Sequence, residues 1–269
     1  MSKSKIRGII KTEPLQLEQI KEDLRRLRLK DIIDELDDAL LAAQEGQQGY
    51  LGFLQRLVSH QVEAVHCRSV ERRIKKACLY KAMSFECFDW NFQPELNVAQ
   101  VKDLSELSFI VKNQPVLILG KSGTGKTHLA TALGIRACQK GYRVKFYSFQ
   151  QLLDQLYASL ADETTEIVLD KMARLDLLII DEVRHIRIKP EYASLFLDLV
   201  NRCQHRLSIV ITSNISIHDW GQTLGNASIT SAIVDRLLHN ACVINIRHGR
   251  SYRTQGPGAP ELLKEESKE

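Results

Sequence analysis

PVLILGKSGTGKT, Pro115 to Thr127, is the stretch that decides how this chain is read. A short apolar run, Val116 to Leu119, leads into Gly120, Lys121, Ser122, Gly123, Thr124, Gly125, Lys126 and Thr127, which fit G-x-x-x-x-G-K-[ST]; HLATALGIRA, opening at His128, then has helical character. A strand before and a helix after are the context that a phosphate-binding loop requires. The glycines let the backbone turn with its N–H groups aimed inward, and the N-terminus of the following helix adds positive potential. Lys126 is spaced to reach β- and γ-phosphates, and Thr127 to ligate magnesium.

A phosphate loop needs a partner that holds the metal and prepares a water. LDLLIIDE, Leu175 to Glu182, reads as a buried strand ending in two carboxylates, with Asp181 for magnesium and Glu182 to polarise water. Roughly fifty-five residues separate this pair from the loop, room for a helix, a strand and a helix. A third strand, LSIVITSN, ends in Asn214, which reaches the γ-phosphate if that strand lies between the other two; otherwise Asn214 is a strand-ending turn residue.

Around these motifs apolar runs alternate with helical patterns: PVLILG, THLATALGIRACQKG, YRVKFYS, FQQLLDQLYASL, LDLLIIDE, SLFLDLVNRCQHR, LSIVITSN and ACVINIRH. That alternation predicts an α/β domain, a parallel sheet with helices on both faces. Upstream, Leu17, Ile20, Leu24, Leu27, Ile32, Leu36 and Leu40 recur at helical spacing and predict an amphipathic helix from Leu17 to Leu41. Past Gly46 and Gly49 a second helix is predicted through Leu51, Leu54, Val58, Val62 and Val65, with Val70, Ile74 and Cys78 packed inward. The aromatic segment FECFDWNFQPELN fits a junction between two parts. The expected division is a helical N-terminal domain over 1–85, a nucleotide-binding domain over 86–253, and a disordered, turn-forming and charged tail over 254–269.

At 269 residues, 44% hydrophobic and 26% charged, the composition is that of a globular protein, and no apolar run is long enough to span a membrane. MSKSKIRGIIKTEP is basic but leads into no apolar signal region, so the expected location is cytoplasmic. Cys67, Cys78, Cys87, Cys138, Cys203 and Cys242 form no C-x-x-C pair; buried reduced thiols are expected.

GKSGTGKTHLATALG, YRVKFYSFQQLLDQL, the acidic pair of LLIIDE, ITSN, and SAIVDRLLHNACVINIRHGRSYR occur in the order found in the AAA+ ATPases, and the chain resembles more narrowly their IstB/DnaC clade over residues 85 to 253. Within it the nearer match is to IstB-like helper ATPases of bacterial insertion sequences. The resemblance implies ATP and Mg2+ as cofactors, an AAA+ P-loop fold with strand order five-one-four-three-two, and Asn214 beside the γ-phosphate. It also implies self-association into rings or spirals in which Arg236 of VDRLLH stabilises transition-state charge at a neighbour's nucleotide. The chain after Ile246 is too short for a full C-terminal helical lid, leaving Arg253 as a candidate nucleotide or intersubunit contact. Lys121 stands where relatives carry an uncharged residue, and VRHIRI lacks a glycine after the acidic pair.

RSVERRIKKACLYK carries Arg68, Arg72, Arg73, Lys75, Lys76 and Lys81 against Glu71. On a helix, Arg68, Arg72, Lys75 and Lys76 gather toward one side, a stripe that can neutralise the phosphates of double-stranded DNA, though a solvated face or an acidic partner would use it as well. The net charge of +4 permits nucleic acid without demanding it. No base-reading motif and no acidic triad of a nuclease or transposase is present, so binding should be sequence-independent and the DNA chemistry another protein's. Three functions follow: a transposition helper that assembles on duplex DNA and stimulates a partner transposase; a helicase loader on single strands, as DnaC resemblance implies; and an adaptor that binds nucleotide without turning it over.

Overall fold

The computed structural model describes residues 14–46, 49–94, 96–184 and 188–257, and it divides into two compact units, Met1–Glu71 and Arg72–Glu269. The division falls within one helix, upstream of the aromatic segment where the sequence places it.

The first unit contains α1 (Pro14–Arg26), α2 (Lys30–Gln44) and the first part of α3 (Tyr50–Ala77). The single helix expected over Leu17 to Leu41 is therefore two: Arg28 takes a left-handed φ of 61°, and Leu29 N–H returns to Leu24 O at 2.9 Å, closing the first helix. Leu36, Ala39 and Leu57 form its buried centre, with Leu24, Ile32, Leu40 and Phe53 packed on it. The face of α3 differs from expectation. Leu51, Leu54, Val58, Val62 and Val65 face solvent, while Leu57 and Gln61 turn inward.

Polar pairing accounts for this choice of face. Gln61 Nε2 donates to Asp31 Oδ2 at 2.8 Å, Arg68 grips the same carboxylate through both Nη atoms at 2.6 and 2.7 Å, and Arg56 Nε donates to Glu35 at 2.6 Å. The Arg68 guanidinium holds the Asp31 carboxyl down from 3.8 to about 2. A carboxyl depressed by folding contributes stability that is present above its unfolded value and is lost as pH falls through the folded one. Hydrogen exchange in α2 is accordingly expected to accelerate as pH drops from about 4 to about 2, beyond the intrinsic rate change. Arg68→Ala should erase that pH dependence; an unchanged profile in the variant would assign it to other groups.

The second unit holds α4 (Val98–Ser105), α5 (Ser108–Val111), β1 (Val116–Gly120), α6 (Lys126–Gln139), β2 (Val144–Ser148), α7 (Phe149–Ala161), α8 (Thr165–Ala173), β3 (Leu177–Val183), α9 (Pro190–Cys203), β4 (Ser208–Ser213), α10 (Trp220–Leu224), α11 (Ala227–Leu238), β5 (Cys242–Ile246) and α12 (Tyr252–Gln255). The strands form one parallel sheet in the order β2-β3-β4-β1-β5, as the resemblance implies. β1 and β4 are buried throughout, and β3 apart from Glu182, which is why they read as apolar runs rather than alternating ones. Leu152, Leu156, Phe196, Leu199 and Ile211 fill one face of the sheet.

After β5 the described residues contain only α12, so no helical lid follows the sheet among them. Thr254 and Gln255, read from sequence as tail, lie in α12; residues 258–269 are outside the described ones. Of the cysteines, Cys138 and Cys203 are buried, and burial pushes their thiols up to about 11 and about 12, but Cys67, Cys78 and Cys87 are exposed, contrary to expectation. Cys78 lies just past the end of α3 in the left-handed region, at φ 63°, so it leaves the helical face on which Ile74 and Ala77 are buried. Among the described residues no helix is long and apolar enough to cross a membrane.

Candidate functional site

A parallel sheet brings the C-terminal ends of all its strands to one edge, and ligands of such folds sit outside that edge. There β1 hands over to the phosphate loop and β3 to its two carboxylates, around a cavity of about 490 Å³. Ser122, Gly123, Thr124, Gly125, Lys126, Thr127 and His128 line it, facing Asp181, Glu182 and Asn214. Gly120 and Lys121 line a different cleft, on the other flank of the loop.

The loop geometry demands its glycines. Gly123 has φ 81°, and a Cβ there would stand 2.2 Å from Ser251 Oγ; Gly125 has φ 90°, and a Cβ would stand 2.9 Å from the Phe88 ring. Lys126 is buried and its ammonium donates to Lys121 O at 2.6 Å across the loop. Desolvation lowers its pKa, opposed by the nearby Asp181 charge. Thr127 Oγ1 lies 3.0 and 3.1 Å from the two oxygens of Asp181.

Asp181 is buried, and burial raises its pKa against the hydrogen bonds of Thr212 and Thr127. Thr212 is the residue that ties the edge together: its hydroxyl donates to Asp181 Oδ1 at 2.5 Å and accepts Glu182 N–H at 2.8 Å. Glu182 takes φ 67°, at a shift of register between β3 and β4, a conformation costing on the order of 1–3 kcal/mol for a non-glycine residue. The bulge turns Glu182 out of the strand's alternation, so that it and Asp181 both line the cavity. Arg184 pairs with Glu182 at 3.7 Å.

The donor set suits ATP with magnesium. Inward loop amides and an ammonium fit phosphates, and a hydroxyl beside a carboxylate offers the oxygen ligands of Mg2+, which otherwise keeps water and phosphate oxygens. A dedicated cage is not required, and among the described residues no cluster of three or more His, Cys, Asp or Glu stands ready to hold a metal.

Several contributors carry little sequence signal. The aromatic segment read as a junction lies in the second unit and walls the cavity: Phe88 meets His128 edge-on at 5.1 Å, and His128 Nε2 lies 2.7 Å from Ser84 O. Buried Gln93 clamps the loop to the chain after β5, donating to Thr124 O at 3.3 Å and Arg250 O at 2.5 Å while accepting Arg250 N–H at 3.0 Å. Tyr252 N–H donates to Gly123 O at 2.9 Å, and Arg253 Nη1 lies 3.5 Å from Ser122 Oγ. Arg236 is elsewhere. It donates to Ala232 O of its own helix at 2.8 Å, beside Pro115 and Asn240 at the opposite edge of the sheet. Arg72, Lys75 and Lys76 are exposed, whereas Arg68 is committed to Asp31.

Comparison with known proteins gives a consistent picture. The profile of the family described as IstB-like ATP binding protein matches residues 22–257. An ATP-binding protein by name, of the insertion sequence IS21 in Pseudomonas aeruginosa, is 35% identical over 230 residues, 86% of each chain. A similarly named protein of IS5376 in Geobacillus stearothermophilus is 31% identical, covering 88% of this chain and 94% of its own. Among solved structures, AMPPCP-bound DnaA from Aquifex aeolicus superposes with a TM-score of 0.54 at 22% identity, over 71% of this chain and 56% of that one. DnaI gives 0.52 at 20% identity, over 61% of this chain and 90% of its own. At these identities the structural likeness speaks for the fold.

Proposed function

The chain belongs to the IstB-like ATP binding protein family, and we propose that it is a Mg2+-dependent ATPase that assembles on duplex DNA and regulates a partner transposase. The observation that carries the ATPase part is the Thr127–Asp181–Thr212–Glu182 chain of hydrogen bonds facing the phosphate loop. In this reading Lys126 and the loop amides hold the β- and γ-phosphates, and Thr127 and Asp181 hold Mg2+, which neutralises charge on the phosphates when bound. The Glu182 carboxylate accepts a proton from the attacking water, and Asn214 orients groups near the γ-phosphate. Phe88 and Phe92, both lining the same cavity, supply apolar surface for the adenine base. Arg236, far from its own chain's cavity, serves a neighbouring copy in a ring or spiral.

The transposition part is supported by the relatives, which are proteins of insertion sequences, and by the exposed cations Arg72, Lys75 and Lys76, with Arg73 half-buried beside them, which can neutralise a DNA backbone. Mass photometry of the protein with duplex, or with single strands of equal length, in ATP and in ADP tests it. Large assemblies are expected on duplex in ATP alone. Assembly on single strands only would overturn this reading in favour of a helicase loader.

A further inference from the structure

A second, wider cleft of about 660 Å³ opens on the other flank of the phosphate loop, across the C-terminal ends of β1, β4 and β5. Lys121 comes from the residue after β1, Arg247 and His248 from those after β5, and Arg184 from the residue after β3. Gly120 and Ile246 are partners in the β1–β5 register, so the parallel sheet itself sets Lys121 beside Arg247. Among the described residues the side chains of Lys121, Arg247 and His248 have no ion-pair or hydrogen-bond partner, and Asp219 is the one acid in the lining. Among the described residues the Arg184 side chain pairs with Glu182 alone, both side chains being about half exposed at 52% and 55%. Like charges held on one edge without partners repel one another, which an anion would relieve.

The rest of the lining indicates which anion. Asn214 and Ser216 add neutral hydrogen-bonding groups, and among the described residues of the lining Ile215 alone is apolar with a substantial side chain. A protein partner asks for an apolar or aromatic centre, which the described residues of the lining do not provide; arginine, lysine, asparagine and serine are what meets phosphates and sugars in protein–nucleic acid contacts. The cleft is too open to enclose a small ligand and suits a chain running through it.

We propose that this cleft holds the phosphodiester backbone of a nucleic acid and that its occupancy reaches Glu182 through Arg184. This rests on the reading of the chain as a DNA-associated ATPase and adds where the strand lies and how hydrolysis senses it. The Arg184 guanidinium, 3.7 Å from Glu182 Oε1, belongs to both sites. A phosphate in the cleft offers it a bidentate partner better than a half-exposed carboxylate, drawing it off Glu182 and freeing that carboxylate for water. Arg184 is thus a positioning residue, and Asn214, which lines both cavities, sits between them.

The test uses the full chain with a labelled duplex and a non-hydrolysable ATP analogue, titrated at several salt concentrations, with ATP turnover measured alongside. The Arg247→Ala/His248→Ala variant should keep its DNA-free turnover, bind duplex more weakly, and lower the slope of log K against log salt by about one. Arg184→Ala should raise DNA-free turnover and lose most of the response to DNA, and Arg184→Lys should restore part of that response. In the wild-type chain, which needs no variant to fold, acetylation of Lys121 should be slowed by duplex. If wild type binds DNA and responds to it while the double variant keeps its affinity and slope, or Lys121 stays unprotected, the cleft assignment falls and the proposed function stands. If wild type neither binds DNA nor responds to it, the proposed function falls first. Polyglutamate protecting Lys121 as well as duplex does would replace nucleic acid by an acidic protein segment and overturn the proposal.

Discussion

Glu182→Gln is expected to lower ATP turnover by about two to four orders of magnitude while ATP affinity stays within a few-fold of wild type. The substitution keeps the shape of the side chain and removes its negative charge, and with it the capacity to accept a proton and the ion pair with Arg184. The phosphate contacts lie on other residues: the loop amides, the Lys126 ammonium and the Thr127 hydroxyl are untouched, and Asp181 keeps its bonds to Thr127 and Thr212. Glu182 itself is anchored by its backbone N–H on Thr212, so the variant should retain the bulge that aims residue 182 at the cavity. Single-turnover hydrolysis, set against equilibrium binding of a fluorescent nucleotide, separates the two quantities. Turnover within threefold of wild type would remove Glu182 from catalysis and favour an adaptor that binds nucleotide without needing to hydrolyse it. The predicted phenotype is instead a protein trapped in its ATP-bound form, assembled on DNA and slow to leave it.

Trp220→Ala is expected to cost about 3–5 kcal/mol of stability, a large part of the roughly 5–15 kcal/mol that holds a domain folded. Trp220 is 1% exposed, between β4 and α11 in sequence, and packs into the main core with Leu224 and Ile233. Its indole N–H donates to Ser213 Oγ at 3.3 Å, and that hydroxyl also lies 3.1 Å from Val183 O and 2.9 Å from Ile215 O. Removing the ring leaves a cavity beneath the ends of β3 and β4 and deprives Ser213 of a partner. Asn214 N–H donates to Val183 O at 3.3 Å in the same knot, one residue from Glu182, so activity should fall at temperatures where the variant is still folded. Denaturant titration followed by circular dichroism measures the loss. Trp220→Phe, which keeps most of the packing but not the N–H, should lose clearly less than the alanine variant. A cost under 1 kcal/mol for Trp220→Ala would mean that the core collapses around the missing ring and that the strand ends are held from elsewhere.

How much was legible in the sequence follows from how local each signal is. The phosphate loop is continuous, and its glycines are dictated by the backbone angles of the loop itself, so Gly120 to Thr127 stand out without a structure. The acidic pair ends an apolar run that is buried on both faces, a pattern equally plain. The reading of the N-terminal helices went less far. Hydrophobic spacing located helices but missed the break at Leu27–Leu29 and chose the wrong face of α3, because Gln61 is drawn inward by Asp31 on α2 and the exposed Arg68 pairs with the same carboxylate, contacts between segments far apart in sequence. The same pairing commits Arg68, which as part of a charge run looks as available to DNA as Arg72.

The sequence by itself located the nucleotide-binding motifs of this protein, because each is contiguous, and the order of the strands came with the family resemblance that links them. Only the tertiary structure decided what surrounds that chemistry. Thr212 as the bridge between Asp181 and Glu182, Phe88 and Gln93 against the loop, and the cations gathered around Lys121 come from segments that meet only at the edge of the sheet. Parallel strands converge there whatever lies between them in the chain, so residues more than a hundred positions apart become neighbours with no periodicity or motif to announce it.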